Sequence, residues 1–377
     1  MMTILLVTIV QVVHDKVQQL QNRETPTLCQ SKIRSMSTDL HEVQGLLMRL
    51  PHIYDLMAAP PIREALLDYC DVKDRLTLRK VSKNFKDIVH SSKLHLPIFS
   101  IATFGHVRHL VTERTHTTYT ANGNTMTVEN VRTGRARCFE FEENPVEIFQ
   151  NDVKTILNLP RLEIDKMEYC SYLYPGMKDD LAELRFGVDQ KLKVRKIETN
   201  KLDVIRFLDP RHLEVIKCVV DDNAELVEVD EFAQMEQWKS AIELITNQAL
   251  RTSNLVDSFG HFDYVDYIVH DRNRVSMEDL VALKEHLLRR PTLQKFEVIP
   301  LDSHDEDDPV FLQPPISFLP FQDAYDDKWY HFEYVDSKKV LSVRISYSGI
   351  LFKGPCYTGD KIEIADRRAC RDDDGSK

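Results

Sequence analysis

Two groups of side chains in this sequence carry charge at a spacing that could do chemistry. The first is the run His304-Asp305-Glu306-Asp307-Asp308, one imidazole and four carboxylates of the kinds that ligate cations. Consecutive residues define no ligand geometry, so the run reads as a solvated acidic connector and no metal is expected. The second is an acid set between apolar neighbours in four β-like segments: Leu162-Glu163-Ile164, Leu213-Glu214-Val215, Ile242-Glu243-Leu244 and Phe296-Glu297-Val298. Alternation along a strand places each glutamate opposite its neighbours. If the four strands are parallel neighbours in one sheet, Glu163, Glu214, Glu243 and Glu297 form an acidic row on its open face, suited to a basic segment of a partner. The alternative is four ordinary solvated strand positions.

Covalent catalysis has no local signature. The chain has no GxSxG elbow, no GxxxxGK[ST] or GxGxxG phosphate loop and no HExxH, and it holds 11 glycines among 377 residues. A hydrolase with dispersed catalytic residues is the enzymatic alternative to a chain that performs no chemistry and binds no cofactor. Trp238, within DEFAQMEQWKSAIELI, reads as a core residue rather than a ligand contact. The seven cysteines are odd in number, scattered and without a CxxC pair, which argues against a disulfide framework or structural zinc and fits a reducing compartment.

The elements that would position these residues fall into distinct sets. After Pro60-Pro61, the residues Ile62, Ala65, Leu66 and Tyr69 share one face of a helix. Asp71 opens a second, and Leu78, Val81, Phe85, Ile88 and Val89 continue an apolar stripe, with Arg75, Arg79, Lys80, Lys83 and Lys86 mostly off it. Three short helices result, too small a unit to bury a core alone. The segments TTYT and TMTVENV flank Asn122-Gly123, a hairpin turn, and Thr133-Gly134 marks a second turn into ARCFEF. From residue 145 to 300, short apolar strands alternate with helical segments such as NPVEIFQNDVKTIL, and Leu159, Leu162 and Ile164 fit a leucine-rich strand motif without a strict period. KWYHFEYV and VLSVRISYS, where Leu341 and Val343 alternate with Ser342 and Arg344, pair as a final hairpin.

The expected fold is α/β: a small three-helix unit followed by a degenerate leucine-rich-like strand/helix repeat with β-hairpin additions. Its parts are an N-terminal extension (1–45, without steady periodicity), the helical unit (50–95), a β-hairpin segment (98–144), the repeat (145–300), a C-terminal β-hairpin segment (310–365) and a disordered acidic tail (366–377).

Composition excludes several classes. Hydrophobic residues at 42% and charged residues at 29% match soluble globular usage. Forty-nine Lys and Arg against 60 Asp and Glu give a net charge of -11, so nucleic acid is not the expected partner. Thr3 to Val13 is an apolar run of signal-peptide length, but no basic residue precedes it, no A-x-A-like site follows, and it is too short to span a bilayer. No membrane partner is expected, and Met36 is an alternative start.

The stretch Leu66-Leu67-Asp68-Tyr69-Cys70, Asp71-Val72-Lys73-Asp74-Arg75-Leu76 and Leu78-Arg79-Lys80-Val81-Ser82-Lys83-Asn84-Phe85 resembles an F-box. It departs from the usual pattern where Ala59-Pro60-Pro61 replaces Leu-Pro and Cys70 replaces a leucine. Downstream, LDPRHLEVIKCVV, the Gln237-Trp238-Lys239-x-Ala241 segment and His261-Phe262 look like the FTH region that follows F-boxes in a large nematode family. The resemblance implies a substrate-receptor subunit of a cullin-RING ubiquitin ligase, cytoplasmic or nuclear. Its F-box would dock on a Skp-family adaptor, and through it a cullin, using Pro60, Pro61, Ile62, Leu66, Leu67, Leu76, Leu78, Val81 and Phe85. The FTH region would hold a client protein, a basic one if the glutamate row forms. An interaction scaffold that does not assemble with the ligase is the alternative.

Overall fold

The computed structural model describes Leu67 and, with short interruptions, residues 70–172, 191–301 and 329–358. The chain divides into two compact units, Met1–Lys93 and Leu94–Lys377. In the first, α1 (Val72–Val81) and α2 (Lys83–Ser91) form a helical pair. Asp74 in the first turn of α1 and Arg79 and Lys80 in its last complement the helix dipole. Leu67, Leu78, Phe85 and Val89 are buried together, with Cys70 and Ile88 packed against them. Of the expected first helix only Leu67, which is helical, lies within the described residues.

Among the described residues, the second unit is built on one sheet of 14 strands. An antiparallel meander comes first: β1 (Leu94–Phe104), β2 (Val107–Thr112), β3 (His116–Asn122), β4 (Thr125–Asn130) and β5 (Arg135–Glu140). The turn before β5 uses Gly134 at φ 63°, a backbone conformation that glycine adopts without a steric cost. Helix α3 (Glu147–Leu157) packs on β3, where the Tyr119 hydroxyl donates to Asp152 at 2.7 Å and its ring meets Phe149 edge-on. Then β6 (Leu162–Tyr172), β7 (Lys193–Thr199), β8 (Val215–Cys218), β10 (Glu243–Thr246), β12 (Tyr264–His270) and β13 (Lys295–Leu301) add in parallel, beginning beside β1. β14 (Trp329–Glu333), β15 (Val340–Ser346) and β16 (Gly349–Lys353) close the far end antiparallel, with β16 against β13. Two short strands, β9 (Val227–Glu228) and β11 (Leu250–Arg251), pair separately.

Segments that read as separate hairpins and a central repeat therefore share one sheet and one core. Phe99, Met167, Ile197, Ile216, Leu244, Val265, Phe296, Phe352 and Val343 stand in register on nine successive strands, all fully buried. Each contributes about 1.5–3 kcal/mol of apolar burial. The crossovers between the parallel strands are shorter than the expected helices. KLDVIRFLD makes a 3-10 turn (Leu202–Phe207), and α4 (Glu236–Ser240) and α5 (Leu255–Phe259) span five residues each. Only α6 (Met277–Leu287) is a full crossover helix among the described residues, and it opens on a capping box between Ser276 and Asp279.

A second regularity lies in the backbone. Ile242 and Glu243 both donate to the Glu214 carbonyl (2.8 and 3.1 Å), Asp263 and Tyr264 to that of Ile242 (2.8 and 3.2 Å), and Gln294 and Lys295 to that of Asp263 (2.8 and 3.2 Å). Two consecutive donors on one acceptor is a β-bulge, and here three stand side by side. Each bulge inverts the alternation, so residues three apart point to the same side. Ala241 and Leu244, Phe262 and Val265, and Leu293 and Phe296 are all buried in consequence.

Candidate functional site

In the helical unit the organising residue is Arg75, in the middle of α1 and only 4% exposed. Its guanidinium donates to the Leu67 carbonyl (2.8 Å), the Cys70 carbonyl (3.4 Å), the Lys93 carbonyl (3.0 Å) and the Ser92 hydroxyl (3.3 Å). One rigid fork of donors thus ties the chain before α1 to the chain leaving α2. Arg75 lies off the apolar stripe, where an arginine is more often exposed, yet here it is buried. Outward on the same pair, Leu76 is half-buried and Thr77, Lys80, Lys83 and Lys86 are exposed.

In the sheet unit a second cluster centres on Trp238. Its Nε1 donates to the Ser258 carbonyl at 2.7 Å, its own carbonyl accepts from His261 Nε2 at 2.9 Å, and Phe262 packs edge-on at 5.5 Å. Gln237 Nε2 reaches back to the Leu208 carbonyl at 3.0 Å. Helix α4 is therefore bonded both to the crossover before it and to the one after it. Burial lowers the His261 pKa to about 4, so the ring is neutral and donates through Nε2. Asp263 accepts from Arg290 (2.7 Å) and Thr292 (2.8 Å), joining the next crossover in the same way.

The sheet face opposite the buried file carries a mixed lattice of charge. Lys166 bridges Glu168 and Glu198, and Lys217 meets Glu198 at 3.0 Å. Burial pushes the Glu198 carboxyl upward, yet the hydrogen bonds from Lys166 and Lys217 outweigh it and hold the group below its usual range. Glu163 pairs with Lys193 at 3.2 Å, and Asp165 with Arg195 at 3.4 Å. Further along, Lys295 sits between Asp266 (2.9 Å) and Glu297 (2.6 Å).

Family models match the chain twice, as an F-box domain over residues 61–97 and as an FTH domain over residues 185–313. The chain carries an F-box followed by an FTH domain. The F-box match covers α1 and α2, and the described part of the FTH match runs from β7 to β13. Comparison with curated proteins and with solved structures finds no match. F-box domains in general bind Skp-type adaptors.

Within the F-box, the residues expected to meet an adaptor separate. Leu67, Leu78 and Phe85 are buried in the unit's own cluster and build the helix pair. An apolar stripe shows that a face is covered and not what covers it. Leu76 retains exposure. Pro60, Pro61, Ile62 and Leu66 lie outside the described residues, as does the side chain of Val81.

Within and beside the FTH domain, the register overturns the expected glutamate row. Lys166, Lys196, Val215, Glu243, Tyr264 and Lys295 stand on one line across the strands. Glu163 lies three residues before that line, Glu214 one before and Glu297 two after. Glu163 and Glu297 are thus five residues apart in height, about 16 Å at a strand's rise. Glu243 is buried, and Glu163 and Glu297 are paired with lysines. The motif residues Trp238, His261 and Phe262 are structural ties, which agrees with the core position expected of Trp238. The 304–308 acidic run lies outside the described residues; among those described, no group of three or more His, Cys, Asp or Glu is placed to hold a metal ion. No helix among them is long and apolar enough to cross a membrane.

Proposed function

We propose that this chain is the substrate-recognition subunit of an SCF-type cullin-RING ubiquitin ligase. Its F-box docks on a Skp-family adaptor, which bridges to a cullin, and the FTH region holds a client protein. The supporting observation is the succession of the two matched domains, F-box then FTH, in one chain. The chain performs no chemistry of its own in this reading: holding the client beside the ubiquitin-loaded enzyme raises the effective concentration of its lysines. The working compartment is the cytoplasm or nucleus. We read the strands of the FTH region as a degenerate leucine-rich-like repeat, supported by the buried pairs three residues apart on neighbouring strands.

The adaptor contact centres on Leu76, with Pro60, Pro61, Ile62, Leu66 and Val81 carried over from the F-box pattern. Leu76→Asp places a charge on a half-buried apolar position that forms no part of the buried cluster. It should reduce co-purification with the adaptor at least tenfold while the purified chain keeps its thermal transition. Unchanged capture overturns this interface. No capture by the unaltered chain favours the scaffold reading, to which Ala59-Pro60-Pro61 and Cys70 point as departures from the F-box pattern.

A further inference from the structure

Residues 98–184 lie between the two matched domains, and the sheet's outermost strand on that side, β5, lies within them. Among the described residues its one strand partner is β4, in a register from Thr125 opposite Glu140 to Asn130 opposite Arg135. The backbone groups on its other side form a row of donors and acceptors that a further strand could pair with. Arg135, Ala136, Arg137, Cys138 and Glu140 are all exposed. The opposite end of the sheet differs: on β14, Trp329, Tyr330 and Phe332 are half-buried, and Arg344 and Lys353 lie over the Trp329 ring.

Chemistry narrows what would pair there. Arg135 and Arg137 are two residues apart and project to one side of the strand, about 7 Å from each other. Neither makes an ion pair among the described residues, in a chain whose net charge is -11. A lone positive charge on an edge protects it against pairing, but two guanidinium forks in line also present carboxylate-shaped donors at strand spacing. We propose that β5 takes an extended segment of a partner protein as a fifteenth strand, with acidic side chains at alternate positions meeting Arg135 and Arg137. Main-chain hydrogen bonds supply affinity and the arginines select the register, because a slip of one residue turns the acids to the wrong side. A second copy of this chain fits less well. It would offer one acid, Glu140, against two arginines and would bring together two chains of the same net charge. This surface goes beyond the ligase reading and stands whether or not the F-box captures an adaptor.

The test is fluorescence anisotropy on the full chain with three labelled peptides. One alternates glutamate and threonine, one replaces the glutamates with lysine, and one is the glutamate peptide N-methylated at alternate amides on its pairing edge. The glutamate peptide should bind and the other two should not, and R135E/R137E should weaken binding at least tenfold. Equal binding of the lysine peptide, or no loss in the arginine variant, overturns the proposal. So does a chain that is dimeric by light scattering and becomes monomeric in R135E/R137E, since the edge would then serve self-association.

Discussion

His261 couples the stability of the sheet unit to acid. Burial holds its folded-state pKa at about 4 against an ordinary 6.5, so the folded protein refuses a proton that the unfolded chain accepts. The stabilising contribution is complete above pH 6.5, declines as pH falls toward 4, and declines no further below that. His109 and His286 are lowered by burial as well and act in the same direction. Asp209 acts in a separate window. The Arg211 hydrogen bonds hold its carboxyl down to about 2, so its contribution is lost only between pH 3.8 and 2. We expect urea midpoints to drop between pH 7 and pH 5, and His261→Gln to shrink that drop, since glutamine keeps a donor near the Trp238 carbonyl without titrating. An undiminished drop in the variant would show that His261 does not carry the effect.

At the scale of elements, the helix pair depends on Arg75 as much as on its apolar cluster. Arg75→Ala removes the guanidinium from which the Leu67 and Lys93 carbonyls accept and should cost about 1.5–3 kcal/mol, the range for hydrogen bonds to a charged group. Lysine should not rescue it, because a single ammonium cannot span carbonyls on both sides of the helix pair. Limited proteolysis within residues 67–93, faster in both variants than in the parent chain, is the readout. Much of the element order was legible: the helix at NPVEIFQNDVKTIL, the hairpin flanking Asn122-Gly123 and the pairing of VLSVRISYS with KWYHFEYV all follow from periodicity. Register was not legible. Nothing local in Leu213-Glu214-Val215 shows that Glu214 takes two neighbouring donors on its carbonyl, and those bulges decide where each glutamate stands. The apolar stripe of the F-box is visible in the sequence too, but a stripe alone does not say which of its residues pack within the helix pair, as Leu78 and Phe85 do.

For the whole sheet unit, strand order follows chain order closely: from β6 to β13 each long strand lies beside the one before it. Stability in such an arrangement is chiefly a matter of neighbours. Phe352→Ala empties a fully buried position on β16 and should cost about 3–5 kcal/mol, the usual range for such a truncation. Hydrogen exchange should quicken across β13 to β16 and stay unchanged across β1 to β5; uniform acceleration of both ends would mean the sheet opens as one cooperative block. The same nearest-neighbour logic bears on the stacked bulges. Because each strand from β8 to β13 offers its successor the same backbone platform, one crossover and strand could be duplicated or excised without inventing new contacts. Every such change would displace whatever lies beyond it by about 4.8 Å, the spacing of paired strands. Evolution could then adjust the reach of this scaffold in fixed increments, as a ruler is lengthened by whole divisions.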